Sequence, residues 1–172
     1  LLLLEAKNNR PQVRSGKSRF TLQTLPAEDF PKLAPSTAPA AHIALPQKSL
    51  RALLLLVQYA MAQQDIRYYL NGLLMVIEGQ TLKAVATDGH RLAYASINLK
   101  QNADKQEVIL PRKAIQELIK LLSDSDEPIH IDLSPSQVRF KLGDIELMTK
   151  VVDGKFPDYT RVIPSNYQKR FL

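Results

Sequence analysis

One short segment occurs twice in this chain, and the duplication limits what the chain can fold into more than any other feature. Leu45-Pro46-Gln47-Lys48-Ser49-Leu50 returns 65 positions later as Leu110-Pro111-Arg112-Lys113-Ala114-Ile115. Each copy follows an apolar, strand-like stretch and opens a segment with helical periodicity. The first helix carries Leu50, Leu53, Leu54, Val57 and Met61 on one stripe, and the second carries Ile115, Leu118, Ile119 and Leu122. Proline is tolerated at a helix start because its missing N–H would have no intrahelical partner there. Such a unit used twice predicts an architecture built by repetition.

The intervening segments complete the unit. After the first helix come apolar runs at Tyr68 to Glu78, Leu82 to Thr87 and Arg91 to Leu99, with a turn expected at Gly79-Gln80. After the second come Ile129 to Leu133, Val138 to Leu142 and Ile145 to Val152. The class expected is α+β, with two βαβββ repeats, each helix laying one apolar stripe on a sheet. Ile129-His130-Ile131-Asp132-Leu133 alternates strictly, which puts His130 on the polar face without a role.

A longer period is superimposed on the short one. Val13 to Leu25 alternates around Gly16 like a hairpin and runs into Phe30-Pro31. Val138 to Lys150, turning at Gly143-Asp144, runs into Phe156-Pro157. The two Phe-Pro pairs lie 126 positions apart, almost twice the shorter offset, so whole domains as well as half-domains recur. Residues 1–34 are then read as the end of one domain, and the Pro- and Ala-rich 35–40 as a linker. Residues 41–153 form a complete domain, and 154–172 a junction with the start of a third. The chain begins without Met inside an apolar run, so an excerpt of a longer polypeptide is expected. Leu1 to Leu4 is too short to span a membrane and reads as a strand.

Composition narrows the chemistry. Of 172 residues, 45% are hydrophobic, enough for a real core, and 23 Lys and Arg against 17 Asp and Glu leave a net charge of +6 that favours an anionic partner. Absence of cysteine removes disulfides, thiolate metal sites and thiol nucleophiles, as suits a reducing cytoplasm. His42, His90 and His130 are scattered with no metal-ligand spacing, so neither metal nor cofactor is expected. Lys48, Arg51 and Gln58 share the polar side of the first helix, and Lys113, Gln116 and Lys120 that of the second. Such faces suit plain solvation, or a surface that follows phosphates by charge without reading bases.

Three motifs carry a family resemblance: Gln64-Asp65-Ile66-Arg67-Tyr68-Tyr69-Leu70-Asn71-Gly72, Ala86-Thr87-Asp88-Gly89-His90-Arg91-Leu92-Ala93, and Val152-Asp153-Gly154-Lys155-Phe156-Pro157-Asp158-Tyr159. With the duplication, they resemble the middle domain of the bacterial DNA polymerase III beta subunit, the sliding-clamp family, in order along the whole chain. The resemblance implies the DNA clamp fold, with two helices of the domain on an inner face and antiparallel sheets outside. It also implies a ring of six domains from two subunits around duplex DNA. Residues 1–34 would then close the first clamp domain, 41–153 would be the second, and the third would open near Val162-Ile163-Pro164.

Family clamps take a short linear peptide at the junction of their second and third domains. The matching positions are Leu70, Thr87, Gly89, His90, Arg91, Leu92, Pro157, Arg161 and Val162, with Arg67 at the rim. An apolar floor with a few polar donors suits a peptide bearing Leu or Phe anchors and a Gln. Taken singly, Leu70, Leu92 and Val162 also suit a core, Thr87-Asp88-Gly89 a plain turn, and His90 a hydrogen-bonded structural role. Thr160 stands where many relatives carry a second basic residue, which lowers the rim charge. For DNA, the family positions are Gln64, Tyr68 and Tyr69 near the template, where rings can stack on bases, although paired tyrosines also serve packing. Lys48, Arg51, Arg112 and Lys113 would supply diffuse charge from the helix starts.

Three functions compete. The resemblance implies a non-catalytic processivity factor that encircles double-stranded DNA without sequence preference. It would bind replicative polymerase and clamp-loader subunits through linear motifs, dimerise as the full-length protein, and reside in the bacterial cytoplasm at the nucleoid, away from membranes. An enzyme would use Asp88, His90 and Arg91 with Thr87 or Ser96 as nucleophile. Against it, the sequence has no Gly-rich phosphate loop, nucleophile elbow or magnesium-type carboxylate cluster. A monomeric nucleic-acid-binding module without encirclement is the third reading.

Overall fold

The computed structural model describes residues 2–5, as backbone only, together with 10–30 and 39–163. Linker positions 35–38, Pro31 of the first Phe-Pro pair and the segment from Pro164 onward lie outside the described residues. The chain divides into two compact units, Leu1–Ala34 and Pro35–Leu172. In the first, β1 (Leu2–Glu5), β2 (Gln12–Ser15) and β3 (Ser18–Thr21) make an antiparallel sheet in that order. Gly16 turns β2 into β3 at φ +57°, a left-handed conformation that glycine adopts freely. The hairpin is shorter than the alternation suggests, because β3 stops at Thr21 and a 3-10 turn follows at Ala27–Asp29.

The second unit is α+β. Strand β4 (Ala41–Pro46) leads into helix α1 (Gln47–Val57), and the long strands β5 (Gly72–Thr87) and β6 (Leu92–Pro111) lead into α2 (Arg112–Leu121). Then β7 (Pro128–Leu133), β8 (Gln137–Leu142) and β9 (Ile145–Lys150) complete an antiparallel sheet in the order β4-β7-β8-β9. The duplicated prolines take equivalent places. Pro46 is the N-cap of α1 at φ −61° and ψ 139°, and Pro111 the N-cap of α2 at φ −59° and ψ 142°.

Neither proline caps with a side chain. The first amides of α1 donate instead to the loop after α2, Gln47 N to Glu127 O at 3.0 Å and Lys48 N to Ser125 O at 3.1 Å. The buried Gln47 side chain accepts from Ser123 Oγ at 2.9 Å, and at the other helix start Arg112 Nη1 donates to Met61 O at 2.9 Å, in the loop after α1. Both helices deliver their stripes into one core, where Leu50, Leu53 and Leu54 meet Ile115, Leu118 and Phe140, each at most 1% exposed.

Strand boundaries differ from expectation in several places, β9 among them, which stops at Lys150. Tyr68–Asn71 is a 3-10 turn rather than the start of a strand, closed by Leu70 N donating to Arg67 O at 2.8 Å. The third strand of the first repeat and the strand entering α2 are one continuous element, β6. Strand β5 likewise runs on through Gly79-Gln80, where the sequence predicts a turn between two strands; the site is instead a register break in its pairing with β6, at Gly79 with φ +59°: 72–77 pair with 106–111, and 81–87 with 92–98. Strand β5 is buried on both faces, which accounts for its unbroken apolar run. Leu73, Met75, Ile77, Leu82 and Ala84 join the helix-side core, whereas Leu74, Val76 and Val85 join a second cluster with Leu70, Ile109 and Phe156.

Gly72 allows this ribbon to close. A Cβ there would stand 2.5 Å from Leu110 O and 2.9 Å from Ile109 Cγ2, so the backbone would have to move. Gly72→Ala should therefore lower unfolding free energy by about 1–3 kcal/mol, read from urea denaturation midpoints.

Candidate functional site

The second cluster underlies a cavity of about 450 Å³ on the side of β5 and β6 away from the helices. Three stretches distant in sequence line it: Arg67 and Leu70 around the 3-10 turn; Thr87, Gly89, His90, Arg91 and Leu92 at the β5–β6 connection; and Pro157, Asp158, Tyr159 and Val162 after β9. Nine of the ten expected pocket positions meet here. The tenth, Arg161, is not on the wall; its side chain is 83% exposed and its Nε donates to Asp158 at 2.9 Å.

Local bonding fixes the walls. Thr87 is buried, its Oγ1 donating to Arg91 O at 2.7 Å and accepting from Gly89 N at 3.1 Å. Asp88 accepts from the amides of His90 and Arg91 at 2.9 and 3.0 Å, and these bonds, aided by the Arg91 guanidinium, hold its carboxyl below the usual range. Gly89 at φ +88° leaves room above it for Arg67, whose terminal nitrogens stand 3.1 Å from where a Cβ would be. Asp158 caps the last 3-10 turn, Tyr159–Arg161, by accepting from Thr160 N at 3.2 Å, and it also accepts from Thr160 Oγ1 at 2.6 Å; these bonds lower its pKa. Thr160 does not itself line the cavity, but its bonds hold Asp158, which does. Tyr159 stacks on Tyr94 with ring centroids 5.9 Å apart, and burial pushes its phenol up.

Carboxylates at this rim are matched to guanidiniums: Asp65 to Arg67, Asp88 to Arg91 and Asp158 to Arg161. Leu70, Leu92, Pro157 and Val162 give the interior an apolar character, and Val162 is 65% exposed, leaving apolar surface open to a ligand. The arrangement suits docking of apolar side chains beneath polar donors. Among the described residues no group of three or more His, Cys, Asp or Glu side chains could hold a metal ion.

The proposed DNA positions divide. Gln64, in a left-handed conformation at φ +55°, shares an open polar cleft of about 510 Å³ with Gln63, Asn71, Arg112 and Gln116. Tyr68 and Tyr69 meet edge to face at 5.9 Å, with Tyr68 exposed. Lys113 is exposed and Arg51 half-buried, while Lys48 pairs with Asp126 at 2.8 Å, a bond that raises its pKa. The bond from Arg112 to Met61 O gives that arginine a structural task its sequence position did not reveal.

The histidines are not all scattered. Strand register sets His42 opposite Asp132 and Ala44 opposite His130, and the His42 and His130 rings stack at 5.6 Å. Burial pushes the Asp132 carboxyl up, but hydrogen bonds from His42 and Arg139 outweigh it and leave the pKa lowered. Partners 88 positions apart, as His42 and His130 are, become neighbours only through pairing of β4 with β7. Asp158 and Tyr159 were likewise absent from the expected site. Their presence in the third motif was the available signal.

Comparison with known proteins follows the same lines. Residues 44–158 match the family described as DNA polymerase III beta subunit, central domain. The beta sliding clamp of Escherichia coli (strain K12) is 44% identical over 168 residues, covering 98% of this chain and 46% of that protein. A crystal structure of the DNA polymerase III subunit beta from Pseudomonas aeruginosa superposes with a TM-score of 0.87 at 43% identity, over 96% of this chain and 45% of that one. The DNA polymerase sliding clamp from Bacillus subtilis gives a TM-score of 0.86 at 30% identity, over 96% and 44% of the respective chains. The chain therefore spans less than half the length of these relatives.

The rim pair Asp65–Arg67 has a defined pH window. Bonds from the Arg67 side chain and amide hold Asp65 at about 2, below its ordinary 3.8. A depressed folded-state pKa means the contribution is complete above about 4 and is lost as pH falls through about 2. An NMR titration of the Asp65 carboxyl carbon should remain flat from pH 7 to about 4 and turn near 2.

Proposed function

Because the chain belongs to the bacterial DNA polymerase III beta subunit family, we propose that it is the central part of a processivity clamp, with residues 41–153 as the second clamp domain. The full-length protein encircles duplex DNA as a homodimer of three-domain subunits. It tethers replicative polymerase and clamp-loader subunits through linear motifs seated in the cavity. Retention is topological. A closed ring cannot leave the duplex sideways, while weak screened contacts from Lys48, Arg51, Arg112 and Lys113, with Gln64, Tyr68 and Tyr69 at the template, let it slide. Residues 1–34 close the first domain, 35–40 link it to the second, and 154–172 lead into the third. The protein acts in the cytoplasm at the nucleoid, without catalysis or cofactor.

The observation that supports this reading most is the convergence of Leu70, Leu92, Pro157 and Val162, from three distant segments, on one cavity rimmed by arginines. Apolar anchors of a peptide would occupy that floor, and its carbonyl groups would face the donors. Ion-paired carboxylates at the rim argue against general-base chemistry there. No helix among the described residues is long and apolar enough to cross a membrane.

Leu92→Asp would place an unpaired carboxylate in the apolar floor and should weaken a fluorescent Gln-x-x-Leu-Phe peptide by at least about tenfold in anisotropy titrations, with the circular dichroism spectrum retained. Equal affinities would remove this site from consideration. The full-length protein should be retained on closed circular DNA and lost from linear duplex of the same sequence. Equal, slow dissociation from both would favour a monomeric binding module that does not encircle.

A further inference from the structure

We propose that Asp65 and Asn71 are positioning residues that hold the Arg67 guanidinium above Gly89, so that its remaining nitrogen meets an oxygen acceptor of the bound peptide. This rests on the reading of the cavity as a peptide site and assigns roles to two side chains that do not line it.

The geometry is a relay of fixed contacts. Arg67 Nε and Nη2 donate to the two oxygens of Asp65 at 3.0 and 2.8 Å, a fork-on-fork match, and Nη2 also reaches Asp88 O at 3.3 Å. Nη1 has no hydrogen-bond partner among the described residues, although Arg67 lines the cavity, so two N–H donors remain for a ligand. Asp65 is itself immobilised from behind. Its N–H donates to Asn71 Oδ1 and its carbonyl accepts from Asn71 Nδ2, each at 2.9 Å, so one side-chain amide grips both backbone groups. This grip follows directly on the left-handed Gln64 and fixes the sharp bend that turns Asp65 toward Arg67. On the opposite side, the guanidinium fills the space above Gly89, where a Cβ would stand 3.1 Å from both terminal nitrogens and would press Arg67 out of place by a few tenths of an ångström.

An exposed ion pair of this kind adds little to stability, so stability does not account for three successive constraints on one arginine. A free arginine would lose rotamer entropy when a ligand arrives, whereas one already held loses little. The donors at Nη1 select an oxygen acceptor beside the apolar anchors.

The test is a double-mutant cycle read by anisotropy of the fluorescent Gln-x-x-Leu-Phe peptide on the 172-residue chain. Asp65→Asn preserves shape and the Asn71 grip but removes the charge that fixes Arg67. It should weaken binding by about tenfold, Arg67→Ala by at least as much, and the double variant no more than Arg67→Ala alone. Asn71→Ala provides a second route and should weaken binding only while Arg67 is present. The proposal is overturned if Asp65→Asn binds like the wild type, or if it weakens binding equally in the Arg67→Ala background, the mark of a general loop effect. A neutral Arg67→Ala also overturns it while leaving the pocket in place. A neutral Leu92→Asp removes the pocket reading and this proposal together.

Discussion

Neither helix in the larger unit supplies its own start. A helix N-terminus leaves amides without intrahelical partners, and a buried amide left unpaired costs about 1–3 kcal/mol. Here a loop from the opposite repeat supplies the partners of α1, and the first side chain of α2 reaches a loop from the other repeat in return. Gln47 and Arg112 occupy the same place in the duplicated segment, and each is tied to the loop that leaves the other helix. The repeats are therefore interlocked, and a single core containing both helical stripes follows from that constraint.

With the helices fixed on one face, the β5–β6 ribbon has a second face to cover. Its odd-numbered apolar residues before Gly79, Leu73, Met75 and Ile77, turn to the helices, and Leu74 and Val76 turn to the smaller cluster. That cluster lacks a helix to cover it. It is covered instead by the 3-10 turn at Leu70 and by Phe156 from the segment after β9, and Leu92 and Tyr159 pack at its edge. The cavity thus arises where a two-sided ribbon is covered by irregular chain. Backbone groups there are satisfied by side chains such as Thr87, Asp88 and Asp158 rather than by a ladder.

Much of this was legible in the sequence. The repeated Leu-Pro segments located both helix starts, and the 3.6-residue stripes named core residues, although Met61 and Leu122 are buried just past the helix ends. The 3-10 turn at Tyr68 was not legible, because Tyr-Tyr-Leu has strand propensity and the bonds that bend it, Leu70 N to Arg67 O and Asn71 to Asp65, are seen only in the fold. The continuity of β6 was hidden because Lys100 to Glu107 is polar and lacks the apolar run that marks a strand, yet it continues past a register break in the pairing. Most pocket positions were named through family resemblance; the residues alone offered a turn and some apolar positions. Asp65, Asn71 and the His42–His130 stack escaped because each depends on tertiary geometry that no spacing records.

The route of the chain also gives the cavity a place in time. Arg67 and Leu70 come before the β5–β6 ribbon, and the last wall, Pro157 to Val162, comes after β9. Protein synthesis proceeds from the N-terminus, so both helices and both sheets of this unit can leave the ribosome before the cavity has its third side. Joining Leu70 to Val162 closes one of the longer loops in the unit, a step whose entropy is repaid only after the scaffold exists. A nascent chain therefore acquires its scaffold first and the third wall of the cavity last, an order set by the sequence of the letters alone.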